Sequence, residues 1–66
     1  MIRVKVLEAN KIIELEDEEI IVKNLLERLG LKQSECIVLR NGVVITEEDA
    51  VRSGDEVVVY TVKSGG

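Results

Sequence analysis

Few residues in this 66-residue chain could do chemistry. There is no histidine, so the side chain that most often moves protons near neutral pH is missing. The one cysteine, Cys36, cannot form an internal disulfide, and one thiol without histidine does not fill a four-ligand zinc site. Cys36 lies in the apolar run CIVLR, with no base or cluster of positive charge beside it in sequence to lower its pKa. That pattern fits a small core hydrophobe rather than a nucleophile. Asp17-Glu18-Glu19 reads as a solvated acidic turn at a helix N-terminus, where the macrodipole favours negative charge. Asp55, after Gly54, shapes a turn. The lysines (Lys5, Lys11, Lys23, Lys32 and Lys63) are surface charges and potential acceptors of modification. No nucleophile stands beside a base by motif, and so short a chain has little room for a pocket, so an independent enzyme is not expected.

Composition narrows the field further. Nine Lys and Arg stand against thirteen Asp and Glu, a net charge of -4, and Tyr60 is the only aromatic residue. A nucleic-acid binder of this size would show a basic face and stacking aromatics, so no nucleic-acid partner is expected. The apolar fraction is 45% and proline is absent, which excludes a disordered tail. One small domain is the most the length allows, and such a domain buries only about 60% of its unfolded surface, so its stability is narrow. Apolar runs are no longer than Val57 to Tyr60, far short of a membrane span, and no basic segment precedes an apolar block at the start. The expectation is therefore a cytoplasmic protein with no membrane partner. A charged fraction of 33%, with a single Gln and three Asn, leans toward a thermophilic source.

The periodicity organises the rest. Residues 2–7, IRVKVL, alternate apolar and charged, as a half-buried strand does. After a turn at residues 8–11, IIELE over residues 12–16 gives a second strand, with Ile13 and Leu15 on one face and Glu14 and Glu16 on the other. Paired as a hairpin, Arg3 and Lys5 would oppose Glu14 and Glu16, at roughly 0.2–1 kcal/mol per pair. From Ile21 the period lengthens: Val22, Leu25, Leu26 and Leu29 form one helical stripe, and Gly30 suits a left-handed helix end with Leu31 folding back. CIVLR over residues 36–40 is a third strand. Asn41-Gly42 is a strong hairpin signal, returning Val43-Val44-Ile45 as a fourth strand. Thr46-Glu47-Glu48-Asp49 predicts one helical turn, Ser53-Gly54-Asp55 a turn, and residues 56–62 the last strand. A single helix must bury its stripe against one face of the sheet, giving a compact α+β roll.

On these residues the chain resembles the ubiquitin-like β-grasp sulfur-carrier group, which takes in ThiS- and MoaD-like carriers and the archaeal ubiquitin-like modifiers. The resemblance is carried by IVKNLLERLGL, LRNGVVI, SGDEVVVY and the terminal Gly65-Gly66, in that order. It implies a β-grasp roll over residues 1–62, with a mixed sheet of four to five strands and one helix on one face, and a flexible tail over residues 63–66. It also implies a carrier rather than an enzyme. In such proteins a ubiquitin-activating-type adenylating enzyme uses ATP and Mg to activate the C-terminal carboxylate, here that of Gly66, while the carrier binds no cofactor itself. The acyl-adenylate then takes sulfur, as a thiocarboxylate for thiamin, molybdopterin or tRNA thiolation, from or to a sulfurtransferase or downstream synthase. Alternatively it passes to lysines of target proteins, as in a protein modifier. A third reading is an inert interaction module. Ser64 and Gly65 would thread into the activating site, where small side chains avoid obstruction. Lys63 and Ser64 precede the glycine pair where many sulfur carriers have small or apolar residues.

A recognition surface follows from the alternation together with the resemblance. Val57, Val59, Cys36 and Val38 should face the helix. Ile37, Leu39, Val58 and Tyr60 should face outward, matching the apolar recognition face of ubiquitin-like proteins, with Val62 extending it toward the tail.

Overall fold

The computed structural model describes residues 1–62. Strand β1 (Ile2–Val6) is followed by β2 (Lys11–Leu15), β3 (Glu19–Ile21), helix α1 (Val22–Leu29), a 3-10 turn (Gln33–Glu35), β4 (Cys36–Arg40), β5 (Val43–Ile45), β6 (Ala50–Arg52) and β7 (Glu56–Thr61). Five strands form one sheet in the order β2-β1-β7-β4-β5, and β3 pairs with β6 as a separate two-stranded ribbon. β1 and β7 run parallel at the centre of the sheet, and the other neighbours are antiparallel. This is the mixed five-stranded sheet with one helix that defines the β-grasp roll.

The core explains why these segments fold as they do. Ile2, Val4 and Val6 from β1, Val57 and Val59 from β7, and Val38 from β4 all point to the face that α1 covers. The helix contributes Val22, Leu25 and Leu26, with Leu29 partly buried beside them, which is the stripe that the spacing predicts. Burying a leucine or valine side chain contributes roughly 1.5–3 kcal/mol, so this interdigitated layer is what holds the two faces together. The helix ends as expected. Gly30 sits at φ 74, its N–H donates to Glu27 O at 3.1 Å, and the Leu31 N–H donates to Leu26 O at 2.9 Å, which is the paired bonding of a Schellman motif. A Cβ at Gly30 would meet nothing within 4 Å, so the left-handed backbone alone penalises a side chain there. Gly30→Ala is expected to lower stability by about 1 kcal/mol in urea unfolding, and an unchanged midpoint would mean the cap is not holding that conformation.

The Asn41-Gly42 turn also takes its expected form. Both residues have positive φ, 51 and 83, which is the backbone of a tight hairpin that twists with its strands. Asn41 is tied to β7 as well: its N–H donates to Glu56 O at 2.8 Å and its Oδ1 accepts from the Glu56 N–H at 2.9 Å.

Three expectations are corrected. The acidic run does not sit on the helix N-terminus. Glu19 belongs to β3, α1 starts at Val22 after an extended Ile21, and its first turn holds no acidic residue. The two leading N–H groups are satisfied by main-chain carbonyls instead, Val22 by Asp49 at 2.8 Å and Lys23 by Glu47 at 3.1 Å. Asp17 pairs with Arg28, and Glu19 pairs with Arg52 at 2.9 Å. The predicted helical turn at residues 46–49 is a hydrogen-bonded turn. The Asp49 carboxylate accepts from the Thr46 N–H at 2.8 Å and from Thr46 Oγ1 at 3.1 Å, and these bonds hold its pKa below the usual value. Its carbonyl is then free to cap α1. The third correction is the hairpin register. Arg3 opposes Glu14, at 3.5 Å between charged atoms, but Lys5 opposes Ile12 and not Glu16. Partner numbers in an antiparallel ladder sum to a constant, and the turn after β1 sets that sum four short of what a Lys5–Glu16 pair would need.

Candidate partner-binding face

With α1 on one side, the other side of the sheet is uncovered among the described residues. Alternation along β4 and β7 assigns its members. Val38, Val57 and Val59 are buried beneath the helix, while Ile37, Leu39, Val58 and Tyr60 are half-buried on the opposite face. The register brings these four together. Ile37 lies across from Tyr60 and Leu39 across from Val58. Leu39 also lies across from Val44 on β5, Val58 from Lys5 on β1, and Lys5 from Ile12 on β2. The result is a row running across all five strands, Ile12, Lys5, Val58, Leu39, Val44, with Tyr60 and Ile37 beside it.

Ile12 and Val44 are 58% and 64% exposed, and the register makes them continuous with the half-buried apolar residues between them, a contiguous patch rather than scattered single side chains. Sequence reasoning placed neither on the face. Ile12 follows from counting back along β2 in steps of two from Glu14, and Val44 from its place opposite Leu39 in the Asn-Gly hairpin. Beyond Ile12 and Lys5, a shallow hollow of about 540 Å³ opens on the same face, lined in part by Arg3, Lys5, Ile12, Glu14, Glu56 and Val58.

Val62 stands at the end of this surface. It is exposed, and its N–H donates to Glu35 O at 2.7 Å, carrying the β7–β4 ladder one residue past Thr61. Ser64, Gly65 and Gly66, the residues expected to thread and react, lie outside the described residues. Cys36, opposite Thr61 at the same end, is turned toward the core and packs against it. Burial raises its pKa, and the carboxylates of Glu35 and Glu8 raise it further, the reverse of what an activated thiolate requires. Among the described residues no group of three or more His, Cys, Asp or Glu is arranged to hold a metal, and no helix is long and apolar enough to cross a membrane.

This architecture and the chain end have known counterparts. The model of the ThiS family matches residues 4–66. The crystal structure of the thiamine biosynthesis protein ThiS from Geobacter metallireducens superposes with a TM-score of 0.67 at 25% sequence identity, over 98% of this chain and 100% of that one. The family match takes in the strands that build the outer face and runs through Gly65-Gly66. The chain therefore belongs to the ThiS family of small, ubiquitin-like β-grasp sulfur carriers.

Proposed function

We propose that this protein carries sulfur on its C-terminus in thiamine biosynthesis, the process named for its Geobacter relative. The observation that carries the reading is a family match that extends to Gly66, joined to a sheet whose uncovered apolar face ends where the tail begins. A partner adenylating enzyme supplies the chemistry with ATP and Mg. The Gly66 carboxylate attacks the α-phosphate, pyrophosphate leaves, and the acyl-adenylate forms. A sulfurtransferase then delivers sulfur at the hydrosulfide level, AMP leaves, and the terminus becomes a thiocarboxylate for a downstream synthase. Adenylation is needed because a free carboxylate is a poor electrophile, and AMP is a far better leaving group than oxide.

The chain divides the work between two parts. Ile37, Leu39, Val58, Tyr60 and Val62 dock the sheet against the activating enzyme, and Ser64 and Gly65 carry the Gly66 carboxyl onward. Four residues beyond Val62 span at most about 14 Å when extended, so the enzyme's nucleotide must lie within that distance of the docked sheet edge.

Intact-mass measurement of the protein from its native host tests the proposal. A species heavier by the difference between one sulfur and one oxygen atom, located at Gly66, is the expected result. A Ser-Gly-Gly remnant on lysines of other proteins after trypsin would point to conjugation instead. Finding neither species under conditions of active thiamine synthesis would leave the tail inert and the proposal wrong.

A further inference from the structure

The apolar row on the outer face is broken at one position. Lys5 stands between Ile12 and Val58, and the row continues apolar through Leu39 to Val44. The other cation on this strand, Arg3, lies between Glu14 and Glu56 in the next row and is paired with Glu14 at 3.5 Å. Lys5 has no such arrangement: among the described residues its side chain makes no ion pair and no hydrogen bond. It also borders the hollow on this face, which has room for a partner's side chain. A partner that covers the row takes an ammonium group out of water. That is strongly unfavourable unless the partner supplies a counter-charge. Of the chain's own acids that border this hollow, Glu14 and Glu56 flank Arg3 in the next row, and Asp55 accepts from the Arg52 N–H at 2.8 Å. Glu16, Asp17, Glu18 and Glu19 precede α1, and the carbonyls of Glu47 and Asp49 cap it from the neighbouring turn.

We propose that Lys5 is the specificity-determining residue of this face, and that the protein partner which covers it places an Asp or Glu side chain beside Lys5 within an otherwise apolar footprint. The inference rests on reading the outer face as the docking surface of the activating enzyme. It adds what that enzyme must present there. An aliphatic patch alone binds many apolar surfaces. One cation inside it penalises every surface that lacks a matching carboxylate, because the ammonium is then buried unpaired.

The test compares the full-length chain with Lys5→Met and Lys5→Arg, using the cognate adenylating enzyme and measuring both direct binding and the kinetics of acyl-adenylate formation. Methionine keeps the length and adds apolar surface at an exposed position, so folding is not at issue. The two readings then differ in sign. If a partner carboxylate faces Lys5, Lys5→Met weakens binding and raises KM by roughly thirtyfold with kcat little changed. Lys5→Arg retains most of the affinity, and added salt weakens the wild type while hardly affecting Lys5→Met. If Lys5 merely reaches past the interface to water, Lys5→Met binds as well as the wild type or better, and the inference is overturned while the proposed function stands. A wild-type protein that is neither bound nor adenylated would overturn both.

Discussion

A chain lacking Gly65 and Gly66 is expected to melt with the wild type and to lose ATP-dependent activation. The basis for the first half is the location of the core. Its buried residues run from Ile2 to Val59, and the last ladder bond described is the one from Val62 to Glu35. The packed layer that the described residues build between α1 and the sheet is made before that bond, so calorimetry should give matching melting temperatures. The second half follows from reach. A carboxylate on Ser64 stands about 7 Å short of where Gly66 would deliver it, and misplacement of even about 1 Å costs about a hundredfold in rate. ATP–pyrophosphate exchange should therefore fall by at least about a hundredfold. Activation that survives the deletion would remove the C-terminal carboxyl from the mechanism, and a fallen melting temperature would make the tail part of the fold.

The second large effect separates the two faces of the sheet. Leu25 is fully buried on the stripe of α1 that packs on the sheet, and Leu39 lies half-buried on the sheet face away from the helix. Leu25→Ala leaves a cavity in the only core the described residues build and should cost about 3 kcal/mol. A domain of this size has roughly 3–10 kcal/mol in all, so the variant should melt at least about 12 °C lower, or fail to fold at ordinary temperatures. Leu39→Glu should cost about 1 kcal/mol or less, since the position needs only a residue that tolerates a strand. Its effect should fall on recognition, raising the KM for adenylation at least about tenfold. Thermal melts beside adenylation kinetics read both. A reversed pattern, with Leu39→Glu unfolding and Leu25→Ala merely binding less well, would mean the helix covers the other face.

The strongly periodic segments were legible because their signals are local. The Ile2–Val6 alternation, the Val22–Leu29 stripe with Gly30, the Asn-Gly turn and the β-branched last strand each announce their structure within a few residues. The β3–β6 ribbon was not legible. Glu19–Ile21 and Ala50–Arg52 are three residues each, too short to show a period, and they become strands only through pairing with one another across the fold. The acids at residues 17–19 imitated a helix start, and the real cap is a pair of main-chain carbonyls that no side-chain pattern reports. Within the candidate site, β4 and β7 could be assigned by alternation, whereas Ile12 and Val44 needed the register of the edge strands β2 and β5. No spacing points to Gly66. Its role came from resemblance to a family, because a glycine pair at a chain end carries no chemistry that its own side chains reveal.

The parallel pairing of β1 with β7 also bears on when the molecule becomes competent. Val4 lies beside Val57 and Val6 beside Val59, so β1 leaves the ribosome well before β7 and has this neighbour only once β7 has been translated. A nascent chain cannot close its sheet early, and long-range closures of this kind are slow. Any enzyme that grips the sheet before working on the tail would thereby ignore half-made and misassembled copies.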